Sequence, residues 1–193
     1  MNTWEIGGHT LEYIDESHTY LVDGIIVPSI TQIIKVRFGK KYDFVNESTL
    51  RKASEAGTEM HEAIQRYCES GEESELKEVR NFRFLQKQYG FEVLKNEVPV
   101  ILHQCGEPVG AGRLDMVIRM DGKTGLADLK RTATLDKEYL ACQLNLYRIA
   151  YQQTYGGNIE FLRGIHLRED VRKFVTIPIS EEKAWEVVFE YQI

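Results

Sequence analysis

The chain has 193 residues, 42% of them apolar and 28% charged, which fits one soluble domain with its own core and excludes a disordered chain. No apolar run approaches the roughly 18 residues of a membrane span, and residues 1–8 lack the basic and apolar regions of a signal peptide, so the expected location is the cytoplasm. A net charge of −6 argues against a chain that coats nucleic acid nonspecifically through its overall field, without excluding one that acts on nucleic acid through local clusters.

The three cysteines, Cys68, Cys105 and Cys142, are far apart and form neither a disulfide framework nor a CxxC-type metal site. Basic residues cluster locally at Arg37, Lys40 and Lys41, at Arg51 and Lys52, at Lys130 and Arg131, and at Arg163, Arg168, Arg172 and Lys173. Each cluster alone reads as solvated surface.

In chain order, "HTLEYID" and "HTYLVDGIIV" alternate apolar and polar residues, and Asp23-Gly24 is a hairpin turn signal. Pro28 ends that strand, and "SITQ" (Ser29 to Gln32) has the form of a capping box opening a short helix. A helix follows over about 47–69, interrupted or bent near Gly57 because glycine costs about 1 kcal/mol there. Another spans 74–89, burying Val79, Phe82 and either Leu85 or Phe84. "FEVLKNEVPVIL" reads as a strand, and 112–130 as a hairpin. Residues 136–155 return to helical spacing (Leu140, Leu144, Tyr147, Tyr151) and Gly156-Gly157 stops them. Two strands, "NIEFLRGIHLR" and "RKFVTIPI", precede a last helix that Ser180 caps. The pattern is one α/β domain over 1–193 with a central mixed sheet flanked by helices and an N-terminal β-hairpin extension.

The hairpin "GRLDMVIRMDGKTGLADLK" carries two carboxylates and an amine inside otherwise apolar strands. A two-residue loop at Asp121-Gly122 pairs Met120 with Lys123 and, counting back, sets Asp115 opposite Asp128. Alternation then puts Arg113, Asp115, Val117, Leu126, Asp128 and Lys130 on one face. Leu114, Met116, Ile118, Met120, Ala127 and Leu129 form the apolar, core-packing face. Opposed carboxylates about 5 Å apart repel. Either a hard divalent cation relieves that repulsion, or Lys130 and Arg113 neutralise an exposed polar face.

The spacing D-(x)12-D-x-K, here Asp115, Asp128 and Lys130, resembles the core motif of the PD-(D/E)XK nuclease superfamily. "GTEMH" (Gly57 to His61) resembles the GxxxH segment of its RecB-type branch, "EVPV" at Glu97 the preceding acidic strand, and "QLNLY" (Gln143 to Tyr147) the QxxxY helix. "VPSITQII" is similar to a stretch near the start of mitochondrial genome maintenance exonucleases and related phage exonucleases. The resemblance runs over about 20–150. Taken singly, His61 reads as a surface histidine, Tyr147 as core, and Glu97 as either a ligand or an exposed strand residue. All of them together with the hairpin point to a nuclease site.

The resemblance implies a restriction-endonuclease-like core over 46–193, with strands and a short helix over 1–45. It implies Mg²⁺ or Mn²⁺, one ion or two, held by His61, Asp115, Asp128 and the Leu129 backbone carbonyl, with Glu97 as a further candidate. Asp115, Asp128 and Lys130 would be catalytic, while Gln143, Tyr147 and Arg131 would contact DNA, with Arg148 or Lys137 as further phosphate contacts. The expected activity is DNA exonuclease, in recombination, repair or phage DNA processing, with recombination or replication proteins as partners and a ring-like oligomer as one arrangement. An endonuclease, an RNA substrate and a catalytically inactive nucleic-acid-binding module are the rivals. Arg131 stands where many members have threonine, the iron–sulfur cysteines of some relatives are absent, and no Walker A motif is present.

Overall fold

The computed structural model of the chain describes residues 1–39 and 46–193; Lys40 and Lys41 of the first basic cluster lie outside these. The N-terminal residues form a four-stranded antiparallel sheet, β1 (Asn2–Ile6), β2 (His9–Ile14), β3 (Thr19–Val22) and β4 (Ile25–Val27), paired in that order. Asp23 and Gly24 turn β3 into β4 with φ of 51° and 78°, the positive angles that a two-residue hairpin loop requires. Pro28 then breaks the ladder, and Ser29 opens α1 (Ile30–Phe38) with both halves of the capping box formed.

A single unbroken helix, α2 (Glu47–Ser70), follows. The expected interruption at Gly57 does not occur, because packing of Met60, Ala63 and Ile64 outweighs one glycine's loss of propensity. In α3 (Lys77–Tyr89) Leu85 is the buried residue and Phe84 is exposed. The second sheet has five strands in sequence order: β5 (Glu92–Gln104), β6 (Glu107–Met120), β7 (Lys123–Lys130), β8 (Phe161–Arg168) and β9 (Val171–Ile177). Only β7 and β8 run parallel, joined across α4 (Lys137–Tyr155). The chain ends in α5 (Glu181–Gln192). Ser180 takes its N-cap position without a side-chain bond; Asn145 of α4 instead accepts from the Ser180 N–H at 2.8 Å.

The central sheet is covered on both faces. Helices α1, α4 and α5 bury Val98, Val100, Leu114, Val117 and Leu126 on one side. On the other, α2 and α3 bury Met116, Ile118, Ala127 and Leu129. The hairpin register holds from Met120 opposite Lys123 to Met116 opposite Ala127, as the Asp-Gly loop predicts. The face assignment needs one correction: Leu114 packs with Val117, not with Met116. Alternation slips at Asp115, where the pair with Glu97 is missing from the β5–β6 ladder and Glu97 holds φ of +49°. A left-handed residue inside a strand reverses which face its neighbours take, and such strain concentrates at functional sites.

The N-terminal sheet docks where β4 meets β6, with Ala111 N–H donating to Pro28 C=O at 3.0 Å and Leu11, Tyr20, Val22 and Val27 packing on Ile101 and Ala111. No helix of the described residues is long and apolar enough to cross a membrane. Since Ser29 holds the start of α1 at this junction, Ser29→Ala should lower stability by about 1 kcal/mol. Urea unfolding should show this as a lower midpoint with an unchanged slope.

Candidate metal centre

Strand β6 parts from β7 one residue before Asp115 would face Asp128: the ladder stops at Met116 and Ala127. Asp115 turns into the gap, and its Oδ2 accepts the Leu129 backbone N–H at 2.7 Å. The Leu129 carbonyl lies 3.2 Å from Nε2 of His61, a residue of α2. With Nε2–H donated to that carbonyl, the lone pair on His61 Nδ1 faces the carboxylates. Nδ1 lies 3.8 Å from Asp115 Oδ2 and 4.0 Å from Glu97 Oε1.

His61, Glu97 and Asp115 thus offer one ligand atom each, all within 4.8 Å of one another. An imidazole fixed by a backbone carbonyl on its far nitrogen is a common arrangement in metal sites. The donor set of two carboxylates and one imidazole suits a hard or borderline divalent ion. Of the expected ligands, His61 and Asp115 stand in this group together with the further candidate Glu97. The Leu129 carbonyl is engaged by His61, and Asp128 is turned onto the Lys130 ammonium.

Side-chain exposure falls from 28% at His61 through 23% at Glu97 and 14% at Asp115 to 2% at Asp128, so the group opens to solvent on its His61 side. Burial raises the Glu97 carboxyl above its ordinary range and Asp115 adds to that, against the pull of Arg113 and His61. Arg113 reaches Glu97 Oε2 at 2.6 Å. Burial also raises Asp128, and Asp115 contributes, although Lys130 pulls the other way. For Lys130, burial alone would lower the pKa; the carboxylates of Asp128 and Asp115 overcome it and hold the ammonium charged. Three carboxylates gathered around Lys130 and Arg113 leave an excess of negative charge, which a divalent cation would offset.

The ligand group forms one wall of a cleft of about 630 Å³. α2 contributes Gly57, Thr58 and His61, the α1 start gives Ser29, Thr31 and Gln32, and Tyr147 lies beside Gly112. A Cβ on Gly112 would come within 2.9 Å of the Tyr147 ring, so glycine there admits the ring. Burial, with Tyr20, Asp115 and Asp128 behind it, raises the Tyr147 hydroxyl well above its usual value, so it acts as a neutral donor. The N-terminal sheet also lines the cleft, through Tyr13, His18 and Tyr20. Sequence reasoning missed these residues. Their signal was the β2–β3 hairpin register, which pairs Tyr13 with Tyr20 and brings the rings to 4.6 Å.

Other expected contacts go elsewhere. Gln143 is buried on α4 one turn before Tyr147, and its Oε1 has no hydrogen-bond partner among the described residues. Arg131 does not face the cleft: its Nε donates to the buried Glu78 of α3 at 2.7 Å. The carboxylate of Glu78 takes the guanidinium because an unpaired buried charge would be costly. Arg148 is likewise held by the Ile159 carbonyl and Glu181, and Arg37 by Glu186 and Glu190 of α5. Lys137 is exposed at the start of α4.

No protein-family model matches this chain, and no curated protein does. Among solved structures, the chain is similar to one titled "Crystal structure of SSO0001". The two are 14% identical, with a TM-score of 0.51, over 86% of this chain and 73% of that one. The likeness supports the mixed α/β fold.

Arg131→Ala should destabilise the protein by about 3–5 kcal/mol, the cost of stranding Glu78. Arg131→Ala with Glu78→Gln should recover part of that loss in a denaturation double-mutant cycle. An Arg131→Ala protein of unchanged stability would overturn this structural role.

Proposed function

We propose that this chain is a divalent-metal-dependent nuclease of the PD-(D/E)XK kind that hydrolyses DNA phosphodiester bonds as an exonuclease. One observation carries the reading. His61, Glu97 and Asp115 converge at a solvent-open cleft, directly beside the paired Asp128 and Lys130. These residues come from α2, β5, β6 and β7, and the chain brings them together in the order that the motif resemblance implies.

Glu97, Asp115 and His61 would hold Mg²⁺ or Mn²⁺, with Asp128 at the inner edge of the group. Such an ion supplies Lewis acidity toward a phosphoryl oxygen and makes bound water more acidic. The remaining work falls to the chain itself. Water adds to phosphorus and gives up a proton to solvent, the P–O bond to the departing strand breaks, and the leaving oxygen takes up a proton, so that none is gained or lost overall. Lys130, kept charged by two carboxylates, is a fixed donor that orients the water and offsets negative charge growing on the phosphoryl group. Tyr147 keeps its O–H and offers a second neutral donor from the cleft floor. Arg113 fixes Glu97. The tyrosines of the N-terminal sheet give the strand an aromatic wall, since nucleobases stack on such rings without regard to sequence. DNA is the partner in this reading, and recombination or replication proteins would supply any motor.

End-labelled DNA incubated with Mg²⁺ or Mn²⁺ should be degraded by the wild type and spared when the ion is chelated. Asp128→Ala and Lys130→Ala should each lower the rate by about 100-fold or more; equal rates would overturn the site assignment. A covalently closed circle should survive the same treatment. Its cutting would replace the exonuclease with an endonuclease.

A further inference from the structure

A second constellation lies away from the cleft, where the two sheets meet. His9 of β2 and His103 of β5 bring their Nε2 atoms to 3.3 Å, with ring centroids 5.2 Å apart and planes tilted by 37°. Both rings are held from behind. Asp23, in the β3–β4 turn, accepts from His9 Nδ1 at 2.6 Å through Oδ2, and its Oδ1 accepts the Thr10 N–H at 2.9 Å. The His103 backbone is clamped by Gln153 of α4, which accepts its N–H at 2.8 Å and donates to its carbonyl at 3.0 Å. The Ile101 backbone also engages the His103 ring.

A proton donated from His9 Nδ1 to Asp23 leaves the lone pair on Nε2, aimed at the other ring. At 3.3 Å the gap is that of a long hydrogen bond between ring nitrogens. It matches the chord of about 3.3 Å that two metal–nitrogen bonds of about 2.0–2.1 Å subtend at a tetrahedral angle. A carboxylate on the far nitrogen of a ligating histidine is the usual outer partner in such sites. Burial and the facing His9 both lower the His103 pKa, which keeps that imidazole neutral. The His9 side chain is 26% exposed, so an ion can enter from solvent.

We propose that His9 and His103 bind a borderline divalent transition-metal ion, Zn²⁺ or one like it, through their Nε2 atoms, with Asp23 as the orienting carboxylate and water in the remaining positions. The ion links β2 to β5 and so fastens the N-terminal sheet to the central one. It is chemically distinct from the cleft group, because imidazole donors select Zn²⁺ and its neighbours over Mg²⁺.

The test uses the full chain with His61→Ala and Asp115→Asn, which removes the cleft donors, and with ¹⁵N-labelled imidazoles titrated with Zn²⁺. The Nε2 resonances of His9 and His103 should shift together and saturate at one equivalent, while those of His18 and His166 stay in place. In the same background, Asp23→Asn should weaken binding by about 10- to 100-fold and His103→Gln should abolish it. Zn²⁺ that leaves both resonances unmoved overturns the site, whatever the variants do. So does an affinity that is unchanged in His103→Gln.

Discussion

The backbone of Leu129 is the constraint on which the centre depends. Its N–H holds Asp115 and its carbonyl holds His61, so one peptide unit fixes side chains arriving from β6 and α2. Both groups of Leu129 are free for this because β6 has already left β7. A continuous ladder would have claimed the N–H for an ordinary strand bond. Buried backbone groups must be paired, and here the pairing requirement itself draws the acid and the imidazole to the same place.

Around that unit the electrostatics follow from burial. Asp128 lies deepest and depends on Lys130; Glu97, nearer the cleft, depends on Arg113. Each carboxylate has a cation of its own, yet Asp115 repels both of the others. The left-handed turn of Glu97 belongs to the same arrangement. A regular β5 would have aimed residue 97 along the standard alternation and paired it with Asp115 in the β5–β6 ladder. Strain in one residue and excess charge in three are tolerated because hydrophobic layers enclose the sheet on both faces.

Much of this was readable in the chain. The Asp121-Gly122 loop set the hairpin register, Ser29 and Gln32 marked α1, and the spacing of Asp115, Asp128 and Lys130 located the polar centre, with His61 and Glu97 named as candidates. What escaped depends on three-dimensional neighbours. Alternation cannot register a slip at Asp115, because the slip comes from Glu97 on another strand. Arg131 is adjacent to Lys130 in sequence, but α3 presents Glu78 to it, and that pairing has no local signature. Nor does the identity of residue 129 say which donor reaches its backbone carbonyl, which here is His61. Asn145 capping α5 is another long-range event that no stretch around Ser180 announces.

The cleft has walls of different origin. The residues that gather charge lie on α2 and the central sheet, whereas Tyr13, His18 and Tyr20 come from strands docked through Pro28 and Ala111. The charged group and the aromatic lining therefore have separate addresses in the chain. Sequence drift in the first 27 residues can reshape what the cleft admits while the charged centre stays as it is. Removing residues 1–45 would take away Tyr13, His18 and Tyr20 and, with α1, the buried Ile30, Ile33 and Ile34 that pack with the central sheet.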